Sequence, residues 1–158
     1  EVFYAHSTEP VPSQAQAPTG RYSFRDIVLI SIGLDGKIDW IQTIEKHQVS
    51  AGDYGYYSGF TAVPNGNAVD LIYNTTAETE NRQESLDEEM ANFPGGPRKS
   101  LVKHVRVTRT GEVSEDLFRK DSEYGRSIPS ISRGVDQGKM LVYMRRRNRA
   151  RIGYVSFP

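Results

Sequence analysis

The sequence predicts an all-β protein made of short antiparallel strands. Runs of β-branched and aromatic residues alternate with glycine-containing turns, and the same hairpin pattern returns further along the chain. The one segment of helical composition is acidic and has few apolar residues, so it cannot supply the buried face that a core helix needs.

Ten segments are predicted strands because they are rich in β-branched side chains or alternate apolar with polar residues. In chain order they are residues 2–4, 22–32, 38–44, 57–63, 68–75, 101–108, 113–118, 128–133, 140–146 and 151–157. Four connections between them contain a glycine, which reverses the chain easily because it adopts positive φ. These turns lie at Asp35-Gly36, Asn65-Gly66, Gly111 and Gly138.

Two longer connections interrupt the strands. Pro10, Pro12 and Pro18 predict a solvated loop over residues 7–20, because proline lacks the backbone donor and restricts the residue before it. Residues 77–99 form an acidic loop insertion rich in proline and glycine, with room for a short surface helix at most.

Two successive hairpins, residues 22–44 and 57–75, are followed roughly 70 residues later by two similar hairpins in the same order, residues 101–118 and 128–146. This repeat predicts one all-β unit over residues 1–158, made of antiparallel four-stranded blade-like sheets and equal to about two blades of a β-propeller-like fold. Residues 2–4 look like the inner strand of a blade already begun, so we expect the unit to be part of a larger propeller-like domain. The alternative is a β-sandwich, which short strands with regular turns also suit.

Composition and charge argue against several classes of function. The 20 basic and 20 acidic side chains balance, which gives no overall attraction to nucleic acid. The chain has no cysteine, so thiolate metal sites and cysteine nucleophiles are excluded. No apolar run reaches the ~18 residues of a membrane-spanning helix. We predict no nucleic-acid partner and no transmembrane segment.

Catalytic motifs are equally scarce. His6, His47 and His104 are scattered, and no two have the spacing of a local metal pair. Ser58 lacks the glycine pattern of a nucleophile elbow, and turn chemistry already explains Asp35. We therefore predict no catalytic residue, no metal and no cofactor; the sequence leaves enzymatic activity open and favours its absence.

Two features are candidates for binding. Tyr54, Tyr56 and Tyr57 lie in a glycine-rich loop, and tyrosine offers a large contact area at little entropic cost, which suits a sugar or a protein. Opposite charges in two other segments suggest patches that dock a partner, although they also suit a solvated strand edge or pairing with each other. The residues of these charged patches are Arg145, Arg147, Arg149, Arg151, Glu84 and Glu88.

Several segments together resemble a known family. They are Asp26-Ile27-Val28-Leu29, Asp35-Gly36-Lys37-Ile38-Asp39-Trp40, Ile44-Glu45-Lys46-His47-Gln48, Tyr57-Ser58 and Leu71-Ile72-Tyr73-Asn74. In this order they resemble the C-terminal half of a family of bacterial envelope or secreted proteins with β-propeller-like repeats, whose function is uncharacterised. Thr75 and Thr76 depart from the pattern, since the family has acidic or amide residues there. The resemblance implies a location in the bacterial cell envelope or outside the cell.

The function expected from these observations is that of a non-catalytic scaffold or protein-interaction module in an envelope or secreted complex. Its partners would be other protein chains that complete the sheet edges or the ring. One alternative is a carbohydrate-binding or carbohydrate-processing propeller whose site needs further blades. Another is a self-contained β-sandwich that serves as an adhesin or assembly subunit.

Overall fold

A computed structural model describes residues 2–3, 21–51, 55–76, 100–120, 126–146 and 149–158. Most of these residues lie in antiparallel strands, and the described part of the chain contains one short 3-10 turn and no α-helix. The predicted all-β class is therefore confirmed. The acidic insertion and four predicted binding residues, Tyr54, Glu84, Glu88 and Arg147, lie outside the described residues.

The described strands are numbered in chain order. They are β1 (Val2–Phe3), β2 (Arg21–Phe24), β3 (Ile27–Ile32), β4 (Ile38–Ile44), β5 (Gln48–Ala51), β6 (Thr61–Asn65), β7 (Ala68–Thr76), β8 (Ser100–Thr108), β9 (Val113–Lys120), β10 (Arg126–Ser127), β11 (Arg133–Asp136), β12 (Lys139–Arg146) and β13 (Arg149–Ser156).

The strands form three main sheets, which are named here by their position. The central sheet is a four-stranded meander in the order β6-β7-β8-β9. The first sheet has the order β1-β3-β4. In the last sheet, β12 pairs with β13 along one edge and with the short strands β10 and β11 along the other. A further two-stranded ladder, β2-β5, continues the β3-β4 hairpin beyond a break.

The central sheet is apolar on both faces. Successive residues of a strand point to opposite faces, so Leu71 and Ile72 of β7 enter different cores. Leu71 packs in a cluster with Leu29 and Ile44 of the first sheet. Ile72 packs in a second cluster with Met140 of the last sheet. The three sheets therefore form a stack with the meander in the middle.

The hairpin turns follow the sequence prediction. Gly36, Gly66, Gly111 and Gly138 all have positive φ, between 59° and 84°. The predicted strand over residues 22–32, however, is interrupted at Asp26, whose side chain accepts a hydrogen bond from the backbone N–H of Lys46. The partner strand breaks opposite Asp26, between the end of β4 and the start of β5. Beyond this break the hairpin continues as the pair β2 and β5. Strand β5 was not predicted.

Two other predicted strands are wrong in extent. The strand expected at residues 57–63 begins only at Thr61, because a turn occupies Gly55 to Tyr57. The strand expected at residues 128–133 is a 3-10 turn (Pro129–Ile131) followed by β11. Pro129 favours this turn, since it has no backbone donor for a ladder and a fixed φ that suits a helical start.

Trp40 on β4 packs against the turn between β8 and β9. Its indole N–H donates to the carbonyl of Arg109 at 2.8 Å. A Cβ on Gly111 would lie 3.1 Å from the Trp40 ring. The turn accounts for the positive φ of Gly111, and the second role of this glycine, the close approach of the Trp40 ring, depends on a long-range contact.

Replacing Gly111 with alanine is expected to cost about 1 to 3 kcal/mol, because the position has φ of +84° and must also displace Trp40. Gly36→Ala is the matched control, since Gly36 has φ of +78° with open space around it. Urea denaturation of both variants separates backbone strain from the Trp40 contact. Equal losses of stability would contradict a role for that contact.

Candidate interaction surfaces

The outward face of the last sheet carries an apolar patch, here called the β12-β13 patch. It consists of two cross-strand pairs, Leu141 with Tyr154 and Tyr143 with Ile152. The side chains of Ile152 and Tyr154 are 60% and 66% exposed. An antiparallel sheet with one solvated face normally carries polar residues there, so this face has the composition of a contact surface.

The outward face of the first sheet has a similar feature, here called the β3-β4 patch. It contains Val28, Ile30, Ile38 and Ile41, with Ile30 and Ile41 paired across the two strands. Ile38 and Ile41 are 58% and 55% exposed. The two patches lie at opposite ends of the stack, because each is on the face turned away from the central meander.

Charged residues border both patches. Arg145 is exposed and follows Tyr143 by two positions on β12, which places it on the same face. Arg149 and Arg151 are exposed on β13. Next to the β3-β4 patch, Asp35 forms an exposed ion pair with Lys37 at 3.0 Å, and Asp39 accepts a hydrogen bond from Ser31. Three of the four arginines predicted to dock a partner thus lie on β12 and β13, and their docking role remains a prediction.

The two described tyrosines of the glycine-rich loop are half-buried. Tyr56 and Tyr57 contact each other edge to face at 5.2 Å between ring centroids. The guanidinium of Arg126 lies 5.4 Å above the Tyr57 ring. Ser130 donates a hydrogen bond to the carbonyl of Tyr56. These contacts attach the loop to β10 and the 3-10 turn, and ligand binding by the tyrosines stays a prediction.

A fully buried carboxylate, Asp70, lies between the central sheet and the C-terminal residues. His104 Nε2 is 2.8 Å from Asp70 Oδ1, and Asn65 Nδ2 donates to Oδ2 at 2.8 Å. Arg106 Nη1 lies 3.4 Å from both carboxylate oxygens and donates to the Pro158 backbone oxygen at 2.8 Å. The network gives the buried carboxylate its partners, and through Asn65 and Arg106, which both donate to the Pro158 oxygen, it holds the residue after β13 against β6 and β8.

Phe157 covers this network. Its ring stacks on His104 with 4.6 Å between centroids and an interplanar angle of 18°. Phe157 also belongs to the apolar cluster that includes Met140. In the sequence His104 is an isolated histidine, since nothing in the local sequence reveals that Asp70 faces it from the neighbouring strand.

A second polar network surrounds Lys46, which is 6% exposed. Lys46 Nζ donates to Gln48 Oε1 at 2.8 Å, and that oxygen also accepts the backbone N–H of Gly59. Gln48 Nε2 donates to the backbone carbonyl of Asn74. Burial lowers the pKa of Lys46 to about 8, and the negative charge of Asp26 opposes this shift only in part.

Asn74 extends the network to the last sheet. Its Nδ2 donates to the carbonyls of Tyr57 and Ser127, each at 2.8 Å. Three buried side-chain atoms at this junction have no hydrogen-bond partner: Ser58 Oγ, Asn74 Oδ1 and Ser127 Oγ. Sequence reasoning missed both networks, because their members are polar residues that become neighbours only in the folded chain.

Among the described residues, no three side chains of histidine, aspartate or glutamate cluster in a way that could hold a metal ion. No helix that could cross a membrane is found in the described part of the chain. Comparison with known proteins returned no matching family model, no similar curated protein and no similar solved structure.

Proposed function

We propose that the chain is a non-catalytic protein-interaction module whose two apolar patches each pack against a further antiparallel β-sheet. The exposed pair Ile152 and Tyr154 carries this proposal, because large apolar residues in adjacent positions on a sheet face are costly to leave in water. The proposed contact would resemble the packing within the stack, because the inner face of each of these sheets already packs on the central meander through aliphatic side chains.

A propeller-like arrangement in a bacterial envelope or secreted protein is part of the proposal. Its support is a four-stranded meander with a neighbouring sheet on each face, which is how consecutive blades pack. The family resemblance adds the location. The carbohydrate-binding alternative rests on the loop tyrosines alone and stays a prediction.

When the purified chain is alone in solution, the only further sheet that a patch can pack against belongs to a second copy of the chain. Contact between the β12-β13 patch of one copy and the β3-β4 patch of another repeats the sheet-on-sheet packing within the stack. Such a contact is head to tail.

We expect the wild-type chain to associate as its concentration rises, and Ile152→Lys to weaken this association about tenfold or more. An ammonium group placed in an apolar contact loses its hydration without gaining a partner. Sedimentation velocity over a range of concentrations measures the effect. Leu117→Lys is the matched control, since Leu117 is 56% exposed on β9 but lies outside both patches.

A wild-type chain that stays monomeric at millimolar concentration would contradict the proposal. Equal weakening by Ile152→Lys and Leu117→Lys would also contradict it, because association would then follow overall apolar exposure rather than the patch. Circular dichroism checks the folding of both variants. Both should keep the sheet content of the wild type, because both positions are on the surface.

A further inference from the structure

The junction around Asn74 contains three buried polar atoms that the protein itself leaves without partners. Ser58, Asn74 and Ser127 are 1%, 0% and 3% exposed. A buried polar group without a hydrogen bond costs about 1 to 3 kcal/mol, and native proteins leave very few in that state. Three such atoms in segments that the Asn74 amide joins therefore mark a polar site that can bind a further group.

The orientation of the Asn74 amide is fixed by its donors. Nδ2 is held by the carbonyls of Tyr57 and Ser127, so Oδ1 is the atom that needs a donor. The hydroxyls of Ser58 and Ser127 belong to the same segments as those carbonyls, and a hydroxyl is both donor and acceptor. Neither reaches Oδ1 directly, since each lacks any partner within hydrogen-bond distance.

The chemistry of these groups selects the occupant. An anion is disfavoured because Asn74 Oδ1 is an acceptor without hydrogens. A metal cation is disfavoured because the buried Lys46 amine lies in the same network, linked through Gln48 to the backbone of Asn74. A neutral molecule that both donates and accepts matches the hydrogen-bonding needs of all three atoms, each of which is buried.

We propose that this junction binds an ordered water molecule, which donates to Asn74 Oδ1 and bridges it to the hydroxyls of Ser58 and Ser127. A buried water commonly makes about three hydrogen bonds to polar groups that otherwise lack partners. The water links the loop after β5, the end of β7 and strand β10. It thus joins the central sheet to the last sheet at the end of β7, where Gln48 also joins the central sheet to the β2-β5 ladder.

A crystal structure of the wild-type chain at about 1.5 Å resolution would reveal the water, and the proposal predicts one well-ordered water bonded to Asn74 Oδ1 and to both serine hydroxyls. Magnetic relaxation dispersion of water nuclei tests it in solution. The double variant Ser58→Ala and Ser127→Ala is expected to show one long-lived water fewer. Ser130→Ala is the control, because Ser130 is an exposed serine of the same region whose hydroxyl donates to the Tyr56 carbonyl.

Three results would overturn the proposal. One is an empty site, and another is direct bonding of a serine hydroxyl to Asn74 Oδ1. The third is density for a metal ion or an anion in place of water. If the double variant fails to fold, the wild-type crystal structure decides alone, because it shows either the bridged water or one of these three results.

Discussion

Replacing Asp70 with alanine is expected to destabilise the chain by about 3 to 5 kcal/mol. The substitution leaves Arg106 and His104 facing each other without the carboxylate that both contact, and it also removes the acceptor of Asn65. Breaking such a network from one side costs this much because the groups that faced the carboxylate lose it as a partner while they stay partly buried, although Arg106 keeps its bond to the Pro158 oxygen. Chemical denaturation in urea gives the loss directly.

Two further variants show where this energy comes from. Asp70→Asn keeps the size and one acceptor oxygen, so its loss should be smaller than that of Asp70→Ala but clearly measurable. Asp136→Ala should change the stability little, because Asp136 pairs with Lys139 in solvent. If Asp70→Ala and Asp136→Ala had similar stabilities, the buried network would contribute nothing to the fold.

The second large effect is a dependence of stability on alkaline pH that comes from Lys46. Its pKa is about 8 in the folded chain and 10.5 ordinarily, because burial disfavours the charged amine. Below pH 8 the amine is protonated in both states and folding bears the full desolvation cost. Between pH 8 and 10.5 the unfolded chain binds more protons, so this group makes the free energy of unfolding rise with pH.

Lys46→Met tests this prediction. Methionine keeps the length of the side chain against Phe24, and Gln48 Oε1 keeps its bond from Gly59. At pH 7 the variant should be more stable than the wild type by up to about 3 kcal/mol, and the gap should close as the pH approaches 10. The control is Lys139→Met, an exposed lysine whose substitution should leave the slope unchanged. A stability difference between Lys46→Met and the wild type that stays constant with pH would contradict the account of Lys46 as a buried amine that loses its proton in this range.

The sequence predicted the local features of the fold well. The turns at Gly36, Gly66, Gly111 and Gly138 need positive φ, and a glycine between two apolar runs signals this without any tertiary information. The same reasoning failed at Pro129. A strand was predicted over residues 128–133 from the β-branched neighbours of this proline, although proline cannot donate a hydrogen bond to a ladder. It also missed β5, which exists because it pairs with β2 across a break.

The stack and its candidate surfaces were beyond sequence reasoning for a physical reason. Alternation along β13 shows that Ile152 and Tyr154 share a face, but only the packing of Met140 and Val142 on the central sheet reveals that this face points outward. Asp70 and His104 are 34 residues apart, and their contact depends on the register between β7 and β8. Register is set by the whole sheet rather than by either residue.

A mixing experiment tests most directly whether the two patches meet head to tail. Ile41→Lys disables the β3-β4 patch and Ile152→Lys disables the β12-β13 patch, so each variant alone should sediment as a monomer. An equimolar mixture should form a dimer and nothing larger, because each variant retains the patch that its partner needs. A mixture that stays monomeric, or variants that still self-associate like the wild type, would contradict the head-to-tail contact and with it the proposed role of these surfaces.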